Sequence, residues 1–277
     1  MIKLMYITNN QEVARIAESG GVERIFIDME YIGKTARQGG MNTVQNHHTV
    51  EDVKRIKTSL KQAELMVRCN PMHKASNVYP GSQQEIESIV SAGADIIMLP
   101  YFKTAEEVRS FVRLVNGRAK TLPLVETPEA VSNIDQILEI EGIDEIFIGL
   151  NDLSLGYGKK FMFELLADGT VESLCNKFKA KGLPYGFGGI AALGKGALPA
   201  ERVIAEHYRL GSTCAILSRS FCNAELVEDL EKIKAVFDKD LKDIRNYMLE
   251  CEKGKVDFAE NKNTVLKTVS KIVESLS

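Results

Sequence analysis

No run of apolar residues in this chain approaches the ~20 needed to cross a bilayer, so a membrane-spanning protein is not expected. The first residues, Met1 to Thr8, are too short for a secretory leader and carry no cleavage pattern. Net charge is only -3 and the pI about 5.9, which leaves no basic footprint for a nucleic acid. The five cysteines, Cys69, Cys175, Cys214, Cys222 and Cys251, are scattered and form no Cys-x-x-Cys pair. That spacing indicates neither a zinc site nor a disulfide framework, and a reducing cytoplasm is the simplest compartment. No Gly-x-Gly-x-x-Gly opens a helix after the first strand, which weakens a dinucleotide-binding fold.

The chain does alternate. Short β-rich runs cover Lys3–Ile7, Arg24–Asp28, Glu64–Cys69, Asp95–Leu99, Thr121–Glu126, Glu145–Gly149, Pro184–Gly188 and Thr213–Leu217. Helical patterns lie between them, among them Val50–Leu60, Gln84–Ala92, Ala105–Val115 and Ala130–Leu138. Apolar strands in strict alternation with helices predict a parallel sheet covered on both faces. Eight such units in 277 residues favour a closed α/β structure, a (β/α)8 TIM barrel with a C-terminal helical extension. The expected division is a barrel lyase domain over residues 1–222 and a helical extension over 223–277. In the extension, Leu226, Leu230, Ile233, Phe237, Leu241, Ile244 and Met248 recur at three- and four-residue steps, which predicts one long amphipathic helix. Gly254 breaks the pattern, and Val265, Leu266, Val269, Ile272 and Val273 define a terminal helix. These stripes pack either on their own barrel or on a neighbouring subunit; the sequence weighs the two evenly.

The ends of the strands carry the chemistry. Glu126 closes Leu122-Pro123-Leu124-Val125, with Pro128 suited to the first turn of the next helix. Asp152 follows Ile146-Phe147-Ile148-Gly149-Leu150-Asn151. Alone, Asp152 reads as a turn or helix cap, and Glu126 as a surface ion pair. Together, on successive βα units facing one mouth, they read as a hard oxygen site for Mg²⁺ or Mn²⁺, with Co²⁺ also tolerated. Arg68 emerges from an apolar strand and needs an anionic partner, either a structural one or a substrate carboxylate. Asp28 and Glu30 share one side of an extended segment and serve to hold metal-bound water, to position Arg68, or as an internal ion-pair network. Of the adjacent pair His47 and His48, one is a candidate acid/base group. His73 and His207 read as structural. Gly186-Phe187-Gly188-Gly189 lies where barrels often hold phosphate, although the motif by itself is weak.

The segment Leu122 to Gly158, with Glu-Thr-Pro-Glu-Ala and Gly-x-Asn-Asp-Leu-Ser, resembles the HpcH/HpaI aldolase/citrate lyase beta-subunit family of the phosphoenolpyruvate/pyruvate barrel superfamily. The likeness extends to Phe26-Ile27-Asp28-Met29-Glu30, to Val67-Arg68, and to Ala92 through Pro100, covering most of residues 20–220. It implies a (β/α)8 barrel, a homo-oligomer, a divalent metal on Glu126 and Asp152, and Arg68 on an oxo-acid. Asn151 and Gly149 fall beside the metal pair as substrate-binding positions. The chain departs from the pattern at three points. Tyr31 stands where the aldolase branch has its acid/base histidine, Leu150 replaces the usual proline, and Ser218-Arg219-Ser220 stands where aldolases carry an acidic residue.

The expected function is a metal-dependent carbon–carbon lyase that makes or cleaves a small 2-oxo acid through a pyruvate-like enolate. Glu126 and Asp152 hold the metal, Arg68 steadies the oxyanion, and a metal-bound water, His47 or His48 moves the proton. Asp28, Glu30 and Tyr31 support them, and Arg219 selects an acidic or phosphate-bearing acceptor. Two other functions stay open: a citrate-lyase-like acyl-CoA lyase, which Lys34 and Arg37 favour slightly, and a non-catalytic barrel kept for binding or assembly.

Overall fold

A computed structural model describes residues 1–34, 48–224, 227 and 229–276. Eight parallel strands close in sequence order into a barrel: β1 (Lys3–Ile7), β2 (Arg24–Asp28), β3 (Glu64–Arg68), β4 (Ile96–Leu99), β5 (Lys120–Val125), β6 (Ile146–Ile148), β7 (Tyr185–Ile190) and β8 (Cys214–Leu217). β8 pairs back onto β1, with Leu4 beside Ala215, so no sheet edge is left open.

Side chains alternate across each strand. On β2, Ile25 and Ile27 join the large cluster between strands and outer helices, while Phe26 joins a second cluster with Met5, Met66, Met98, Leu124 and Phe147. That second cluster fills the barrel interior as a packed layer. Below it lies a charged layer. Arg24, fully buried, donates to both oxygens of Glu145 at 2.6 and 2.7 Å and to Glu64 at 2.9 Å. Above it, at the C-terminal ends of the strands, lie Asp28, Arg68 and Glu126, two residues beyond interior positions on β2, β3 and β5.

Two helical expectations are corrected. The helix expected over Ala130–Leu138 is two short ones, Pro128–Ser132 and Ile134–Ile137. They break at Asn133, whose side chain leaves the helix to donate to the Lys103 carbonyl at 3.0 Å. The C-terminal helix is described from Leu230, with Asp229 capping it, and Leu226 lies outside the described residues. It runs through a π-helical turn, Phe237–Leu241, into Lys242–Glu252. Leu230 is exposed, but Ile233, Phe237, Leu241, Ile244 and Met248 are buried in the main cluster of this same chain. The stripe is therefore covered without a second subunit. Gly254, at φ +68°, turns the chain into the terminal helix Phe258–Ser275, which packs beside the helix Ala200–Leu210.

Candidate active site

A cavity of about 580 Å³ opens at the C-terminal ends of the strands. Asp28, His48, Arg68, Glu126, Gly149, Asn151, Asp152 and Arg219 all contribute to its wall. Sequence positions as far apart as 28 and 219 converge here because every strand of a parallel barrel delivers its C-terminal end to one face. Glu30 and Tyr31 stand behind this wall. His47 and Arg37 lie outside the described residues.

Asp28 organises one side of the mouth. It sits beside Arg68 in the β2–β3 register. Arg68 donates through Nε and Nη2 to the two oxygens of Asp28, both at 2.8 Å, and its Nη1 lies 3.4 Å from Glu30. The Lys34 ammonium donates to Asp28 at 2.7 Å and stands 3.8 Å from Glu30. Burial pushes the Asp28 carboxyl up, but Arg68 and Lys34 outweigh it and hold the group well below the ordinary carboxylate range. Asp28 and Glu30 thus form an internal ion-pair network that also positions Arg68. Lys34 is buried in it and also lines the cavity.

The other side is acidic. Glu126 is buried; its Oε1 accepts from the Tyr101 backbone N–H at 2.9 Å. Burial, then Glu30 and Asp152, push its carboxyl well above the ordinary range, against the pull of Arg68. Asp152 is not a cap: Gly149 holds that place, and Asp152 lies in the first turn of the helix Leu150–Gly156. Its Oδ1 accepts from Asn151 at 3.2 Å. Gly149 makes room: a Cβ there would stand 2.7 Å from Oε2 of Glu126. Any side chain at 149 would displace the carboxylate.

Four acids (Asp28, Glu30, Glu126 and Asp152) face two cations (Arg68 and Lys34) in this group, an excess of two negative charges once a cation draws the proton off Glu126. Two oxygen donors with that excess match a hard divalent cation. Among the described residues, no group of three or more His, Cys, Asp and Glu side chains is placed to hold a metal ion. The fit is therefore to an ion that takes its remaining ligands from substrate and water.

Some contributors carry no sequence signal. Tyr101 adopts φ +47°, unusual for a residue with a Cβ, and so turns its N–H toward Glu126. Asn70 accepts from the backbone of Tyr31 and Ile32 at 2.8 and 2.9 Å and thereby fixes the segment after β2. Asn70 is itself held by Glu85. His207 is structural as expected, stacked on Phe187 and bonded to Ser212. His73 bridges loop carbonyls of Pro71 and Pro80.

A model of the HpcH/HpaI aldolase/citrate lyase family matches residues 3–165, more than half of the chain. The chain belongs to this family. Its relatives include a 2-keto-3-deoxy-L-rhamnonate aldolase from Escherichia coli O6:K15:H31, 24% identical over 65% of this chain and 71% of that protein. A protein of the same name from Salmonella gallinarum is 27% identical over 57% of this chain and 62% of its own length. Several such relatives are spanned over only about half of their length or less. Among solved structures, the HpcH/HpaI aldolase of Desulfitobacterium hafniense DCB-2 superposes with a TM-score of 0.60 at 16% identity, covering 84% of this chain and 93% of that one. A family protein from Burkholderia cenocepacia J2315 gives 0.61 at 15%, covering 84% and 94%. At such identities these likenesses show the barrel. The family match places Asp28, Arg68, Glu126 and Asp152 within the matched segment, whereas Arg219 and the C-terminal helices fall beyond it.

Proposed function

We propose that this chain is a divalent-metal-dependent carbon–carbon lyase of the aldolase type, making or cleaving a small 2-oxo acid. The observation that carries the reading is the meeting of Glu126, Asp152 and Arg68 on one cavity wall at the catalytic end of the barrel. Membership of an aldolase/citrate lyase family and the named aldolase relatives support it. Glu126 and Asp152 would hold Mg²⁺ or Mn²⁺, an ion that polarises a keto oxygen and lowers the energy of the enolate formed on C–C cleavage. Arg68 binds the substrate carboxylate. Two of its N–H groups are fixed by Asp28, so the guanidinium is oriented before substrate arrives, and the remaining donors serve the ligand. Glu30 and Lys34 hold that assembly in place. Asn151, tied to Asp152, orders the rim around the same carboxylate. All five cysteines are free buried thiols, in keeping with a reducing cytoplasm. We take the protein to act as a homo-oligomer, like the family it resembles.

Enolate formation is testable without knowing the aldehyde. Pyruvate in heavy water is followed by proton NMR, with and without Mg²⁺ or Mn²⁺. The methyl protons should exchange only with metal present, and Glu126→Ala should abolish exchange. Absence of exchange with either metal would overturn the reading.

A further inference from the structure

The buried imidazole of His48 is held at one nitrogen and open at the other. Its Nδ1 stands 3.0 Å from the backbone nitrogen of Asp28. A peptide N–H only donates, so Nδ1 must offer its lone pair. The ring's proton then sits on Nε2. Nε2 has no hydrogen-bond partner among the described residues, and His48, a 5% exposed residue, lines the cavity. An N–H that opens onto the cavity is available to an oxygen acceptor there.

The surroundings keep this state. A proton on Nδ1 would set two N–H groups against each other and lose the bond to Asp28. Burial pushes the imidazole below its ordinary value; Asp28 and Asp52 pull the other way, and Lys34 and Arg55 oppose them. The Tyr31 hydroxyl donates to the His48 carbonyl, so this segment is tied to the loop after β2. Tyr31 occupies the place of the aldolase branch's histidine, and His48 reaches the same wall from a later position.

We propose that His48 is a neutral hydrogen-bond donor that binds a substrate oxygen through Nε2, and is not the proton carrier of the reaction. This rests on the enolate reading for its substrate, a 2-oxo acid. An imidazole already protonated on Nε2, with Nδ1 committed, cannot take a proton from substrate without breaking its own support. It can hold an anionic oxygen beside Arg68, because both groups are anchored to Asp28: Arg68 by the carboxylate, His48 by the peptide N–H.

Nitrogen-15 NMR of the metal-loaded full-length protein decides the tautomer; with four histidines in the chain, comparison with His48→Gln assigns the signal. The expected spectrum, taken at about pH 8, shows a protonated Nε2, shifted on addition of oxalate, a dicarboxylate mimic of the enolate. An imidazolium signal, or a proton on Nδ1, overturns the proposal, as does indifference of Nε2 to oxalate. In the pyruvate exchange assay a glutamine amide can replace an Nε2 donor but not a base. His48→Ala should therefore raise the pyruvate KM about tenfold, the size of one lost hydrogen bond, and His48→Gln should raise it less, with kcat nearly kept in both. A fall of about 10²–10⁴ in kcat for both variants would instead identify a proton carrier. Should wild type fail to exchange, the lyase reading falls, while the tautomer and the oxalate shift still decide the role of His48.

Discussion

Glu126 and Asp28 are two buried carboxylates on the wall of one cavity, shifted in opposite directions. Asp28 has cationic partners and is held low, so the stability it contributes is present above its unfolded value of 3.8 and is lost as pH falls through the folded one. Glu126 is raised from 4.5 by burial and by Glu30 and Asp152. An acid raised on folding binds its proton more tightly in the folded state. Without metal, stability therefore falls as pH rises from 4.5 through the folded value of Glu126. Glu126→Gln should unfold at higher urea than wild type at about pH 8 in EDTA, with a flatter dependence on pH above about 5. Mg²⁺ or Mn²⁺ should stabilise wild type in proportion to its occupancy and leave the variant unmoved. A variant less stable than wild type at pH 8, with an unchanged pH slope, would show that Glu126 is already satisfied by the protein. The place of Asp28, Arg68 and Glu126 at the barrel mouth was legible because they end apolar strands. Tyr101 was not, since its contribution is a backbone N–H in an unusual conformation that any side chain could carry. Nor was the part Lys34 plays, because an ion pair six residues long in sequence depends on how the loop after β2 folds back.

At the level of elements, the strands were readable because each is a short, largely apolar run set between helical patterns, and most boundaries moved by one or two residues. The C-terminal helix shows what periodicity misses. A stripe at three- and four-residue steps predicted an uninterrupted α-helix, but the step from Phe237 to Leu241 is carried by a π turn. There Phe237 meets Tyr6 edge-on at 5.0 Å and Phe221 at 5.3 Å, and its Cβ lies 3.3 Å from where a Cβ on Gly20 would stand. The ring is thus a pin between the C-terminal helix, β1 and the segment after β8. Phe237 and Leu241, four residues apart and so on one helix face, are both buried in the main cluster across this turn. Phe237→Ala should cost about 3–5 kcal/mol in urea unfolding, the range for an emptied aromatic site in a packed core. A loss below about 1 kcal/mol would mean that the helix is held elsewhere and that the π turn has no packing role.

For the whole molecule, the question is whether residues 223–277 are an appendage or part of the barrel's own core. The family match ends at residue 165, and the division at 222 was placed where the strand repeat stops. Packing does not respect that division. Ile233, Phe237, Leu241, Ile244, Met248, Val265 and Val269 belong to the same apolar cluster as Leu4, Ile25 and Val67 on the strands. Polar ties cross as well: Arg245 donates to the Ile2 carbonyl at 2.7 Å and pairs with Glu23 at 2.6 Å, and buried Asn261 binds Arg202 and Glu206 on the helix Ala200–Leu210. Removing the last helices would expose the apolar surface beneath them and strip the buried Oε1 of Glu206 of the bond from Asn261, and both costs fall on the barrel. The full chain should therefore unfold in one calorimetric transition, and a chain ending at residue 222 should be insoluble or should melt well below it. A truncated barrel with an unchanged melting temperature would make the helices an independent attachment. Their place would then have to be explained by a partner surface, a role that their burial within the chain gives no reason to invoke.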